Sequence, residues 1–246
     1  LPSVGPSGLL SPGKNVAEPL TVAQIHNLIE SFASAAADAK RIGFDGIEIH
    51  GAHGYLIDQF FWSGTNQRTD EWGGSVANRG RFAIEIVKAI RSVTGPNFPI
   101  LLRYSQWKQQ DYTARLAETP QLLEEFLAPL CDAGVDIFHC STRRYWEPEF
   151  DGSDLNLAGW TKKLTGKPTM TVGSVGLNGD FFGAFAGKSS STRSIDDLIE
   201  RIDKGEFDLV AVGRALLQDP QWANKIHQGN MSALETYSGD ALVTLS

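Results

Sequence analysis

The feature that most constrains this chain is a repeated alternation. Segments with helical apolar spacing take turns with short, nearly continuous apolar runs. Thr21 and Gln24 form a capping-box pattern, and Ile25, Leu28, Ile29, Phe32 and Ala36 keep helical spacing up to Gly43. The run FDGIEI (44–49) follows. A helix around 76–93 ends at Gly95 and leads to PILLRY (99–104). Thr119-Pro120 opens a third helix to about Asp132, before VDIFHC (135–140). A weaker helix near 154–164 precedes PTMTVG (168–173). A helix from near Ser194, with Asp196 and Asp197 at its positive end, precedes FDLVAVG (207–213). Asp219-Pro220 opens a last helix that ends near Gly229. Such alternation predicts α/β architecture with a parallel sheet, open or closed. Continuous apolar strands predict burial on both faces. Residues 1–19, with four Pro and three Gly, read as an irregular arm.

A length of 246 residues suits one domain, 1–246, and about 250 is typical of a single α/β barrel. With 22 Lys+Arg against 29 Asp+Glu the net charge is −7. That argues against nucleic acid or an anionic membrane as main partner, yet leaves room for a local basic pocket for one phosphate. Two cysteines, Cys131 and Cys140, exclude a disulfide framework and any four-thiolate cluster. Free thiols fit a reducing, cytoplasmic setting. No apolar run reaches the ~18 residues of a spanning helix. The chain begins with Leu1, which reads as a fragment whose upstream targeting segment stays open.

Three strand entries resemble one another: Gly43-Phe44-Asp45, Gly134-Val135-Asp136, and Glu206-Phe207-Asp208 after Gly205. Turn chemistry explains these aspartates better than catalysis. The C-terminal ends of the strands carry the unusual polar residues: His50, Arg103, Ser141, Arg143, Gly173, Ser174, Gly213 and Arg214. In either parallel architecture that edge binds ligands. IHGAHGYLIDQF (49–60) places His50, His53 and Tyr55 within six residues. Two imidazoles three apart serve as paired hydrogen-bond donors, as metal ligands, or simply as partners of loop backbone. No carboxylate or third ligand has spacing that completes a metal site. A tyrosine phenol is protonated at neutral pH and can give its proton to a carbanion or enolate. The polar stretch 66–82, with Asn66, Arg68, Asp70, Asn78, Arg79 and Arg81, reads as a hydrogen-bonded loop locking the rim. Arg103 ends an otherwise apolar strand, where a guanidinium is costly unless it meets a ligand or carboxylate. TVGSVG (171–176) and AVGRALL (211–217) together match the usual barrel phosphate site. No GxGxxG or Walker-type loop is present. The aromatic loop YWEPEF (145–150) either lines a pocket mouth or packs.

The stretch GFDGIEIHGAHGYLIDQFFWSGTNQRTDEWGGSVANRGRF (43–82) strongly resembles the old yellow enzyme family of flavin-dependent ene reductases. GEFDLVAVGRALLQDPQWANKI (205–226) is similar to that family too, and the resemblance covers roughly residues 3–230. It implies a (β/α)8 TIM barrel holding FMN at its C-terminal mouth, with NAD(P)H as reductant. The implied substrates are small alkenes activated by a carbonyl or nitro group. By the same resemblance His50 and His53 bind the substrate oxygen, and Tyr55 is the proton donor. Arg103 sits by the pyrimidine end of the flavin, and Gly173, Ser174, Gly213 and Arg214 hold the FMN phosphate. In the family three βα units precede this part, so about five units are expected here, strands 4–8. The missing units normally supply flavin contacts and part of the substrate pocket. Truncation, an N-terminal part outside this sequence, and a short form completed by another chain or copy are the explanations. A metal-dependent hydrolase barrel and an inactive, self-associating barrel fragment are the rival readings.

Overall fold

The computed structural model describes residues 4–179, 183 and 188–243. Within the arm, β1 (Leu9–Ser11) and β2 (Lys14–Asn15) pair antiparallel. The alternating part follows: α1 (Val22–Arg41), β3 (Ile47–His53), α2 (Leu56–Phe61), α3 (Val76–Thr94), β4 (Ile100–Lys108) and α4 (Pro120–Ala133). Next come β5 (Ile137–Ser141), α5 (Leu157–Thr165), β6 (Thr169–Val172), α6 (Asp196–Asp203), β7 (Leu209–Val210), α7 (Arg214–Gln218) and α8 (Trp222–His227). Strands β3 to β7 form one parallel sheet in the order β3-β4-β5-β6-β7. Each strand lies beside its predecessor. A doubly wound sheet reverses direction at a switch point, whereas the wall of a barrel does not. The chain therefore builds five consecutive staves of a partial barrel.

The helices begin where the sequence caps them. Thr21 Oγ1 accepts from Gln24 N and Gln24 Oε1 accepts from Thr21 N, closing the capping box. Ser75, Thr119 and Asn156 each accept an amide of the next helix's first turn. Several boundaries differ from expectation. The arm is a small ribbon with Gly13 at φ 74, so it is not wholly irregular. β3 starts at Ile47 and runs on to His53, because β4 continues to Lys108 and pairs with it beyond a register shift. The short helices α2 and α7 carry too few turns to show a periodic pattern. The last helix starts at Trp222; Asp219 instead accepts from Gln221 N and pairs with Lys225.

The core lies between the sheet and its helices. Ile100, Leu102 and Tyr104 of β4 and Phe138 and Cys140 of β5 are buried on that side. Phe60 stacks on Phe82 at 4.2 Å, and Phe61 meets Phe126 edge-on at 4.8 Å. Burial on both faces does not hold. Glu48 and His50 on β3 and Leu209 on β7 are exposed, because five staves leave the inner face of the sheet open. No described helix is long and apolar enough to cross a membrane.

Two of the three strand-entry aspartates act as staples. Asp136 Oδ2 accepts from Ile100 N at 2.8 Å, and Asp208 Oδ2 accepts from Thr169 N at 2.9 Å. Each holds the first amide of the preceding strand in place. Arg91 and Lys162 pair with them at 2.7 and 2.8 Å. The turn reading of these motifs holds for both. Asp136→Ala is expected to lower the unfolding free energy by about 1–3 kcal/mol, by leaving the strand's leading amide unsatisfied. Urea titration followed by circular dichroism measures it, and an unchanged midpoint would contradict the staple.

Candidate active site

The C-terminal ends of the five strands surround a cavity of about 410 Å³. All eight residues singled out from sequence line it: His50 and His53 from β3, Tyr55 at the start of α2, Arg103 from β4, Gly173 and Ser174 after β6, and Gly213 and Arg214 after β7. Tyr55 and Arg103 thus face the same space. A larger groove of about 820 Å³ lies on the outer surface between α5 and α6, away from the strand ends. Its Lys204 and Glu200 pair with each other, and nothing there resembles a reaction centre.

Register sets the layout. His50 stands opposite Arg103, and Arg103 opposite His139. Side chains in such a row point to the same face of a parallel sheet. The rings of His50 and His53 lie 5.3 Å apart, and those of His50 and Tyr55 5.2 Å apart. His53 Nε2 is 2.8 Å from Ser141 Oγ, which also accepts from Arg103 Nη2 at 3.3 Å. Trp107 stacks on the His53 ring at 4.6 Å. Beneath this row Glu48 Oε2 meets His139 Nδ1 at 2.7 Å, bridging over β4. Sequence reasoning placed Ser141 on the ligand-binding edge but gave no role to Glu48, His139 or Trp107. The signal for Glu48 was a charge inside an apolar strand, matched by a histidine two strands on.

The electrostatics follow from this layout. Arg103, Arg143 and Arg214 line the cavity, and no carboxylate does so among the described residues, although the chain carries −7 overall. Burial lowers the basicity of Arg103, opposed by Glu48. Burial alone would raise Glu48, but the His139 hydrogen bond and the charges of His139 and Arg103 hold it below the usual carboxylate range. Burial and the nearby Arg103 lower His50. His53 is pushed down to about 3 by burial, then by Arg103, His50 and Lys108. A neutral His53 can donate one N–H without itself changing charge.

Features expected of a bound anionic, planar cofactor are present. Arg103 Nε is buried with no hydrogen-bond partner among the described residues, a donor left for an acceptor in the cavity. Gly213 faces space with no atom within 4 Å of a would-be Cβ. Gly173 has φ 149, and a Cβ there would sit 2.6 Å from Thr142 Oγ1. Ser174 adopts φ 49, and Arg214 Nη2 reaches its Oγ at 3.3 Å and Gly179 O at 2.7 Å. The chemistry of this donor set fits a phosphate beside Arg214 and a ring system beside Arg103. It fits a metal poorly. No group of three or more His, Cys, Asp or Glu side chains that could hold an ion occurs among the described residues.

The remaining polar loops are structural. Asn66 Nδ2 donates to Phe60 O and Trp72 O, Arg68 to Pro6 O and Leu20 O, and Arg79 to Phe61 O. In the aromatic loop Tyr145 is buried and bonds Asp197, so it packs instead of lining the mouth.

Residues 5–181 match the family model described as the NADH:flavin oxidoreductase / NADH oxidase family. The chain belongs to that family. It is 33% identical over 244 residues to the probable NADH-dependent flavin oxidoreductase YqiG of Bacillus subtilis, covering 95% of this chain and 59% of that one. It is 34% identical over 221 residues to an NADPH dehydrogenase of Clostridium acetobutylicum, covering 88% of this chain and again 59% of the relative. The fold matches the old yellow enzyme homologue from Zymomonas mobilis with TM-score 0.77 at 22% identity, covering all of this chain and 66% of that one. The chain thus spans about three-fifths of the length of these curated relatives.

A His53 held near 3 makes folding acid-sensitive. Between its ordinary value of 6.5 and 3 the unfolded chain binds the extra proton, so this contribution is complete above 6.5 and lost as pH falls. Thermal melts are expected to show His53→Gln losing less stability than the wild type between about pH 7 and about pH 4. Equal losses would contradict the neutral, buried imidazole.

Proposed function

We propose that this chain carries the FMN-binding and proton-donating part of an NAD(P)H-dependent ene reductase acting on alkenes conjugated to a carbonyl or nitro group. The observation that carries the reading is the convergence of His50, His53, Tyr55, Arg103 and Arg214 on one cavity at the strand ends that no carboxylate lines among the described residues. Bound FMN, once reduced by NAD(P)H, would supply a hydride to the β-carbon of the alkene.

The protein's own groups divide the remaining work. Arg214 and Ser174, with the open backbone at Gly213, would hold the phosphate. Arg103 would set a fixed positive charge beside a ring held in the cavity and so favour added negative charge on it. His50 and His53 donate hydrogen bonds to the substrate oxygen and stabilise the enolate or nitronate charge that develops there. Tyr55 Oη would give its proton to the α-carbon of an alkene bound in the cavity. Ser141 and Trp107 keep the His53 ring in place for this role.

The direct check is the visible spectrum of the purified chain before and after adding FMN, with unbound flavin removed. Retained flavin absorbance supports the reading; a chain that retains none loses it. For flavin-loaded protein, Tyr55→Phe is expected to slow alkene reduction by roughly 10²–10⁴, the usual contribution of a positioned acid. Flavin reduction by NAD(P)H should change little. Equal losses in both half-reactions would remove Tyr55 from the proton-donor role.

A further inference from the structure

The turn that carries the histidine and tyrosine is not one the backbone adopts freely. His53 has φ 64, a left-handed conformation that costs a non-glycine residue energy, and Gly54 follows at φ 80. Such a turn persists only if its surroundings hold it. The projecting end of β4 provides the hold. Ser105 Oγ accepts from His53 N at 3.0 Å, and Gln109 N donates to His53 O at 3.3 Å. Lys108 Nζ donates to Asp58 Oδ1 at 2.6 Å, with both side chains at 0% exposure. The second oxygen of Asp58 accepts from Gly54 N at 2.6 Å, and Lys108 Nζ also reaches Ser105 O at 3.2 Å. One carboxylate therefore ties the turn, the first turn of α2 and β4 together.

Stability alone is a weak reason for such a pair. Replacing a buried ion pair by apolar side chains of similar size is often neutral or stabilising. Neither residue lines the cavity, so neither touches substrate or cofactor. We propose that Asp58 and Lys108 are positioning residues: their buried pair clamps the His53–Gly54 turn to β4 and so fixes His53 and Tyr55 relative to Arg103. Burial pushes the Asp58 carboxyl up and the Lys108 ammonium down, and their mutual attraction opposes both. The pair is neutral as a unit, so it anchors the turn with little net charge added beside the site. The inference rests on the ene-reductase reading for what His53 and Tyr55 do, but not for whether the clamp exists.

The test uses the whole chain with Asp58→Leu and Lys108→Met combined, which removes both charges and keeps an apolar filling. The double variant is expected to melt near the wild type. The His53 and Gly54 amides should lose about tenfold or more in hydrogen-exchange protection relative to the core amides of Leu102 and Ile86. The nuclear Overhauser contacts between the His50 and Tyr55 rings should disappear. Retention of both signals at wild-type strength overturns the proposal, and so does a loss of protection shared equally with the core. Should the double variant not fold, the wild type decides. A Gly54 amide that exchanges as fast as an unstructured one overturns the clamp, and a protected one supports it. None of these readouts needs flavin or alkene, so their failure is separable from failure of the ene-reductase reading. In flavin-loaded protein the double variant should slow alkene reduction by roughly tenfold or more, while flavin reduction by NAD(P)H stays near wild type.

Discussion

Strand register is the constraint on which the site depends. His50, Arg103 and His139 come from three strands separated by long helical excursions, yet parallel pairing sets them in one row. A slip of one residue would turn each of them to the helix-facing side and put Leu102 or Phe138 in its place. The aspartates at the strand entries oppose such a slip from the other end, by fixing the leading amides of β4 and β6. Geometry at the reactive rim is thus partly set at the opposite rim.

Charge is organised just as locally. An acidic chain presents an arginine-lined cavity with no carboxylate in its lining among the described residues, and Glu48 lies one layer below it in contact with His139. Arg103 therefore has a counter-charge close enough to permit its burial, but not one that competes for a ligand in the cavity. His53 and His50 are disfavoured as cations in the same field. The result is a site that offers fixed positive charge from arginine and neutral donors from imidazole, a combination suited to an anionic cofactor and a developing oxyanion.

Much of this was readable from the sequence because it depends on short-range rules. Caps at Thr21 and Thr119, glycine stops, and polar residues ending apolar runs located both the staves and eight of the residues that line the cavity. What escaped depends on contacts between distant segments. The Glu48–His139 bridge spans 91 positions and Lys108–Asp58 spans 50. A lysine four residues beyond an apolar run carries no local sign of burial, yet the structure shows it at 0% exposure. The open inner face is legible from the count of five units, which leaves much of the core exposed, whereas near-continuous apolar strands alone give no hint that Glu48 and His50 stand uncovered.

The third strand-entry aspartate gives the repeat a further meaning. Asp136 and Asp208 each reach back to grip the strand laid down before their own, and Asp45 occupies the same place at the head of β3 with its side chain exposed. Any parallel stave added to that margin, from whatever source, would find an acceptor waiting for its first amide and would be drawn into the alignment that governs the rest of the wall.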